Sequence, residues 1–181
     1  MKKLLCIVPL VLVFCFTIAC QDKAAMAELA RFKAQAKIEE QNEATARAVF
    51  DGLNQQKESV YQELYAPEYG WRFPSNNPKA MTREEEAAFV KLIWAGFPDI
   101  HWNVEEMIAR GDMVIARYIA RGTHKGQFQG LLPTGNTVEA SGIWMARIKN
   151  GKITDAKEDS DMLGMMQQLG MELKPTAAKR K

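Results

Sequence analysis

The sequence predicts an α+β domain with helices packed on one face of a curved antiparallel sheet. Three observations carry this. Between residues 43 and 94, apolar side chains recur at helical spacing. From residue 99 the texture changes to the two-residue alternation of strands. Asn150-Gly151 is a strong hairpin signal between the last two strands. Nothing repeats internally, and 181 residues allow one domain of ordinary size plus appendages.

The first appendage is an export signal. Met1-Lys2-Lys3 is basic, Leu4 to Ala19 carries no charge, and Gln21-Asp22-Lys23 turns polar directly after Cys20. A basic start, a short apolar run and a small residue at the cut describe a secretory signal over residues 1–19. The rival reading, a transmembrane anchor, wants about 20 apolar residues and would have to accommodate Pro9. Residues 20–42 are rich in Ala, Glu, Lys and Gln, with Met26, Leu29 and Phe32 spaced by three. High helix propensity with so thin an apolar stripe predicts a helical stalk in preference to a packed helix.

The domain proper spans residues 43–172. Ala46, Val49, Phe50 and Leu53 make one apolar helix stripe, and Val60, Tyr61, Leu64 and Tyr65 repeat the spacing on a shorter helix stopped by Pro67. Tyr69 to Phe73 reads as a short strand before the Pro74 to Pro78 turn. Thr82 with Glu85 is a capping box that opens a third helix through about Trp94. Its residues Phe89, Val90, Leu92, Ile93 and Trp94 nearly encircle it, which predicts burial on most sides. Trp102, Val104, Glu106 and Ile108 alternate with His101, Asn103, Glu105 and Met107 in a first long strand. Gly111-Asp112 turns the chain into a second, Met113 to Thr123. A loop with Gly126, Gly130, Pro133 and Gly135 leads to a third, Thr137 to Ile148, and Lys152 to about Asp159 is the fourth. A short helix from Met162 to Leu169 closes the domain, with Gly170 at its C-cap. Residues 173–181 are a basic tail.

Charge and composition remove some functions. The formal charge is +2, but removing Lys2 and Lys3 leaves 22 basic against 22 acidic residues. A neutral domain with scattered charge gives no support to nucleic-acid binding, and Lys179-Arg180-Lys181 reads as a solvated tail. Cys6 and Cys15 fall within the signal, so Cys20 is the one thiol beyond it. Gly130 to Thr137 nearly fits a phosphate-binding loop, yet Asn136 stands where lysine is needed and a strand follows in place of a helix. His101 and His124 lie on different predicted strands without ligand spacing, so no metal is expected.

The carboxylates offer more chemistry. Asp159 and Asp161 are two apart, which on a strand puts them on one face about 7 Å from each other. In an apolar hollow, desolvation and mutual repulsion would raise one pKa and suit it to acid/base work on a carbon acid. Ser160 or Asp161 equally fits the N-cap of the Met162 helix, and one residue can do both. His124 ends a strand and His101 begins one, each a structural hydrogen-bonding residue or, through its titration range, a site residue. Trp71, Trp94, Trp102, Tyr118 and Trp144 are candidates to line a pocket or to be plain core.

Taken in order, Phe97-Pro98-Asp99-Ile100-His101, Glu105 to Asp112, Arg121 to Gly126, Pro133-Thr134-Gly135, Gly151-Lys152-Ile153 and Gln167-Gln168-Leu169-Gly170 resemble the SnoaL-like polyketide cyclase (ester cyclase) family. The resemblance covers roughly residues 43–172. It implies the nuclear transport factor 2-like fold, a cone-shaped curved antiparallel sheet packed on three N-terminal helices. It also implies an aldol-type ring closure with no cofactor, in which an aspartate near the end of the last strand is the acid/base. By position that is Asp161, with His124 as polar partner to a developing enolate. His101, Trp71, Tyr118 and Trp144 are then expected to contact a small apolar ligand, and a homodimer through the open sheet face is implied. Lys157 and Asp159 depart from the tryptophan and apolar residue common in relatives.

Ala19-Cys20 resembles a bacterial lipoprotein signal, although Thr17 replaces the usual leucine. This implies acylation (palmitate) at Cys20 and a membrane anchor in the cell envelope, on the periplasmic side of the outer membrane. The bland alternative is cleavage nearby and an idle thiol. Two functions stand at this point. One is an acid/base enzyme, a cyclase or isomerase acting beside a carbonyl. The other is a non-catalytic lipoprotein that binds a small ligand or a partner.

Overall fold

The computed structural model describes residues 7–172 and 174, with side chains from residue 23. The first six residues, the side chain of Cys20 and most of the basic tail lie outside the described residues. The elements run α1 (Ile7–Asn54), α2 (Ser59–Leu64), β1 (Tyr65–Arg72), α3 (Arg83–Gly96), β2 (His101–Arg110), β3 (Met113–Thr123), β4 (Thr137–Lys149), β5 (Lys152–Ser160) and α4 (Met162–Gln168). Two compact units divide at Glu39/Glu40. In the first, the described side chains are exposed almost throughout, and Met26, Leu29 and Phe32 are 71, 53 and 65% exposed. No helix of the described residues is long and apolar enough to cross a membrane.

The second unit is an α+β domain on one five-stranded sheet, in the order β1-β5-β4-β3-β2. The four long strands form the expected antiparallel meander. Asn150 and Gly151 both take positive φ (51° and 70°), as the tight β4–β5 turn requires. Ala46, Val49, Phe50 and Leu53 are all buried against the sheet, as their spacing predicts. Asn54 then acts as a substitute strand. Its amide accepts from Trp102 N (2.7 Å) and donates to Trp102 O (3.0 Å), fixing the start of β2.

Three local departures have physical causes. First, β1 begins at Tyr65, runs through Pro67 and pairs parallel with β5, where the alternation predicted a shorter strand from Tyr69. Pro67 is tolerated because β1 is an edge strand and its ladder is interrupted between Tyr65 and Gly70. Second, a bulge between Val104 and Glu106 reverses the phase of β2. Trp102 and Val104 face inward before it, Met107 and Ala109 pack against the core after it, and Ile108 is left 67% exposed. Third, α3 buries one face and not most sides. Glu86, Val90 and Trp94 form the buried stripe, while Leu92 is 60% exposed. The capping box is present: Glu85 N donates to Thr82 Oγ1 (3.2 Å) and Thr82 N to Glu85 Oε2 (2.8 Å).

The β3–β4 connection is held by backbone. Lys125 N and Gly126 N both donate to Gly96 O at 2.9 Å. A β-carbon on Gly126 would land on the Ala95 carbonyl oxygen, so the approach of the loop to the end of α3 needs glycine. Gly126→Ala is expected to destabilise the domain by roughly 3 kcal/mol, measured by urea unfolding; a change below 1 kcal/mol would show that the loop can shift freely.

Candidate active site

The concave face of the sheet, the C-terminal part of α1, α3 and α4 enclose an apolar cavity. The cavity has a volume of about 90 Å³, where one water needs about 10–15 Å³. Phe50, Phe73, Phe89, Trp102 and Trp144 form much of its wall, and Met162 and Met165 of α4 close one end. Gln168 pins α4 in place by clasping the backbone of β4, accepting from Glu139 N (2.7 Å) and donating to Glu139 O (2.9 Å).

Side chains with polar atoms in this lining are few: Tyr65, Tyr118, Glu86, Glu158, Ser160 and the indoles of Trp71, Trp102 and Trp144. The alternation of β5 explains Glu158. Ala156 is fully buried, so Glu158 and Ser160, two and four residues on, share its face, while Lys157 and Asp159 point outward. Tyr118 O–H donates a short hydrogen bond to Glu158 Oε1. To get there the phenol crosses β4 over Gly142, which pairs with both Tyr118 and Ser160. A β-carbon at Gly142 would collide with the Tyr118 ring and hydroxyl.

Glu158 is half-buried, and desolvation of its carboxyl against the apolar wall pushes it up to about 7, against a smaller downward pull from Tyr118 and Trp71. Burial likewise raises the Tyr118 phenol well above its ordinary value, with the Glu158 charge adding to it. Glu86 lies on the inner stripe of α3, only 5% exposed. Burial pushes it up to about 8, the Tyr69 and Tyr65 hydroxyls oppose the rise, and the Glu158 charge adds to it. Tyr61, Tyr65 and Tyr69 stack edge to face or tilted, with centroids 4.9 and 4.7 Å apart, and burial raises all three phenols.

The residues singled out by sequence divide. Trp71, Tyr118 and Trp144 line the cavity. Asp161 does not. It is the N-cap of α4, accepting from Gly164 N at 2.8 Å, and it faces a shallow outer groove with Arg117, Ile143 and Asp159. Asp159 is outside too, its carboxyl held down by the Ser75 N–H at 2.9 Å. The expected shared face is real, but it is the convex one. His124 is fully buried away from the cavity, stacked on Phe97 (5.1 Å) with Nδ1 accepting from Thr134 N (3.2 Å). It ties the loop through Thr134 to the end of β3. His101 is exposed on β2. Among the described residues no three His, Cys, Asp or Glu side chains gather to hold a metal.

Sequence reasoning passed over Glu158 and Glu86, and each had a signal. Glu158 falls in phase with Ala156, and Glu86 falls four and eight residues before Val90 and Trp94 on an apolar stripe.

Comparison with known proteins bears on this cavity. The model of the SnoaL-like polyketide cyclases matches residues 24–169. The aklanonic acid methyl ester cyclase DnrD of Streptomyces peucetius is 33% identical over 96 residues, covering 52% of this chain and 66% of the cyclase. Among solved structures, IdmH of Streptomyces antibioticus, a candidate polyketide cyclase, superposes with a TM-score of 0.64 at 28% identity, over 72% of this chain and 99% of IdmH. AclR of Streptomyces galilaeus, a candidate hydroxylase, gives 0.67 at 20% identity over 73% and 97%, a likeness of fold alone.

Tyr118→Phe removes the hydrogen bond that lowers Glu158, so its pKa is expected to rise above 7, and Gly142→Ala should do the same by displacing the phenol. Carboxyl-carbon NMR titration of both variants checks this. An unchanged Glu158 titration would show that the bridge does not set its acidity.

Proposed function

Because this chain belongs to the SnoaL-like polyketide cyclase family, we propose that it is an acid/base enzyme that removes a proton from the carbon beside a carbonyl of a compact, mainly apolar substrate. The observation that carries the reading is Glu158, a carboxyl poised at about 7 on the wall of an apolar, aromatic-lined cavity. As carboxylate, Glu158 takes the proton; the C–H electron pair moves into the C–C bond and leaves an enolate oxygen. In ring closure the enolate carbon then attacks a second carbonyl of the same molecule, and the alkoxide formed takes the proton back from Glu158. In isomerisation the proton returns to another carbon. The Tyr118 hydroxyl orients the carboxylate and keeps burial from raising it out of the useful range.

The cyclase relative supports ring closure as the reaction class. The cavity size supports a substrate of one or two rings more than a larger one. The outward direction of Lys157 and Asp159 leaves the pocket as dry as such chemistry needs. The test is exchange of the α-hydrogens of phenylacetone for deuterium in D₂O, followed by NMR. The wild-type protein should catalyse exchange with a rate that rises through pH 7 as Glu158 ionises. Glu158→Gln should lose at least about 100-fold, whereas Asp161→Asn should keep the rate. Wild-type exchange no faster than buffer would favour a non-catalytic binding domain.

The proposal includes location. The signal-like residues 1–19, the small residue before Cys20 and the exposed helical residues from 23 onward support an exported protein. It would be anchored at the periplasmic side of the outer membrane by acyl chains on Cys20, the helix serving as a spacer. Mass spectrometry of the N-terminal peptide from membrane-derived protein should show a lipid-modified Cys20, palmitate included; a free thiol there overturns the anchor.

A further inference from the structure

We infer that Tyr65, Trp71 and Glu86 form an oxygen-binding corner of the cavity, built for the carbonyl oxygen of an otherwise apolar ligand, with Glu86 donating as a neutral acid. This rests on the reading of Glu158 as the base and adds the other half of the reaction: where the charge released by proton removal goes.

The geometry is specific. Tyr65 and Trp71 lie on β1 and Glu86 on α3, and all three side chains line the cavity that Glu158 also faces. Tyr65 is 1%, Trp71 2% and Glu86 5% exposed. The Tyr65 hydroxyl, Trp71 Nε1 and Glu86 Oε2 are each fully buried and make no well-formed hydrogen bond among the described residues, although Tyr65 lies near enough to Glu86, and Trp71 to Glu158, to pull those carboxyls down. A buried polar atom left unpaired costs about 1–3 kcal/mol. Three around one small cavity ask for a ligand that satisfies them together.

Donor and acceptor chemistry narrows that ligand. An indole N–H only donates, a phenol donates readily, and a carboxyl donates when it carries its proton. The groups facing Glu86 are Tyr61 on α2, Tyr65 and Tyr69 on β1 and Glu158 on β5. With burial in such company and the repulsion of Glu158, Glu86 keeps its proton up to about pH 8. The corner therefore presents donors, which fit an oxygen with lone pairs and no hydrogen. A pure hydrocarbon leaves all three unpaired. A ligand ammonium meets no charged acceptor in the corner while Glu86 is neutral. A carbonyl oxygen fits, and as Glu158 takes the α-proton that oxygen becomes negative, so the same three bonds strengthen in the transition state.

The first experiment needs no turnover. Acetophenone and ethylbenzene are close in shape and differ in the carbonyl oxygen, and NMR titration at pH 6.5 gives both affinities. The wild type should prefer acetophenone at least tenfold. Glu86→Leu and Trp71→Phe should each cut that preference by tenfold or to none, and Glu158→Gln should keep it. Equal affinity for the pair in the wild type, or full preference retained in Glu86→Leu, overturns the corner. The second is the pH profile of phenylacetone exchange. In the wild type it should rise through about 7 and fall through about 8. Glu86→Gln, which has no proton to lose in this range, should lose the falling limb; a falling limb kept in that variant overturns the role of Glu86. Exchange that survives Glu158→Gln refutes the base and leaves the binding comparison standing by itself.

Discussion

One hydrogen bond sets conditions on three strands at once. The Tyr118 phenol starts on β3, lies across β4 and ends on the Glu158 carboxyl of β5. It can do so only because residue 142 has no side chain, since any β-carbon there would occupy the place of the ring. The register of β3 against β4 puts Gly142 directly opposite Tyr118, and the register of β4 against β5 puts Trp144 opposite Glu158. A slip of one residue in either ladder would turn one end of the bridge to the convex face. Phe50 of α1 then packs on both Tyr118 and Trp144, with centroids 5.8 and 5.7 Å away, so the helix layer is seated on the same residues. The curved open sheet with its helices is the architecture shared with the SnoaL-like and nuclear transport factor 2-like proteins.

Most of that architecture was legible in the sequence because its signals are local. The Ala46-Val49-Phe50-Leu53 stripe, the Thr82–Glu85 box, the Asn150-Gly151 turn and the Gly170 cap each depend on a few neighbouring residues and the backbone geometry they favour. The edge strand β1 was less legible because its partner, β5, lies some eighty residues away and no local spacing encodes a parallel pairing. The β2 bulge escaped for a related reason. Trp102-Val104 and Met107-Ala109 are each in phase, and only the ladder with β3 shows that an extra residue separates the two phases.

Of the candidate cavity, the apolar walls were legible in the sequence and the two inward-facing acids were not. Two aspartates on one strand face were visible, but period alone does not say which face is concave. Ala156 carried that information, and it is too small to announce itself as core. The choice between cap and catalyst at Asp161 turns on the Gly164 N–H, which the side chain engages from outside the cavity. Glu86 was hidden by its type, since a glutamate in the first turn of a helix reads as a favourable dipole partner. Here two of the three acids in that turn, Glu84 and Glu85, serve the helix terminus, and the third turns inward.

Holding two acids in an apolar cavity has a consequence for the whole domain. In the unfolded chain both glutamates titrate near 4.5, and in the fold they rise to about 7 and about 8. The folded state therefore binds protons that the unfolded state has already released between these values. The stabilisation of the protonated pair is complete below about pH 4.5 and is lost progressively above it, until pH has passed about 7 for Glu158 and about 8 for Glu86. Each unit of raised pKa is worth about 1.4 kcal/mol, so at neutral pH the domain forgoes on the order of a few kcal/mol relative to a version with amides at both positions. A purely structural core would have no reason to keep such residues. Two such acids, on a wall where Tyr65 and Trp71 also lack well-formed hydrogen bonds, match what the proposed chemistry asks of a cavity: a place for a ligand's oxygen and a base for an abstractable proton.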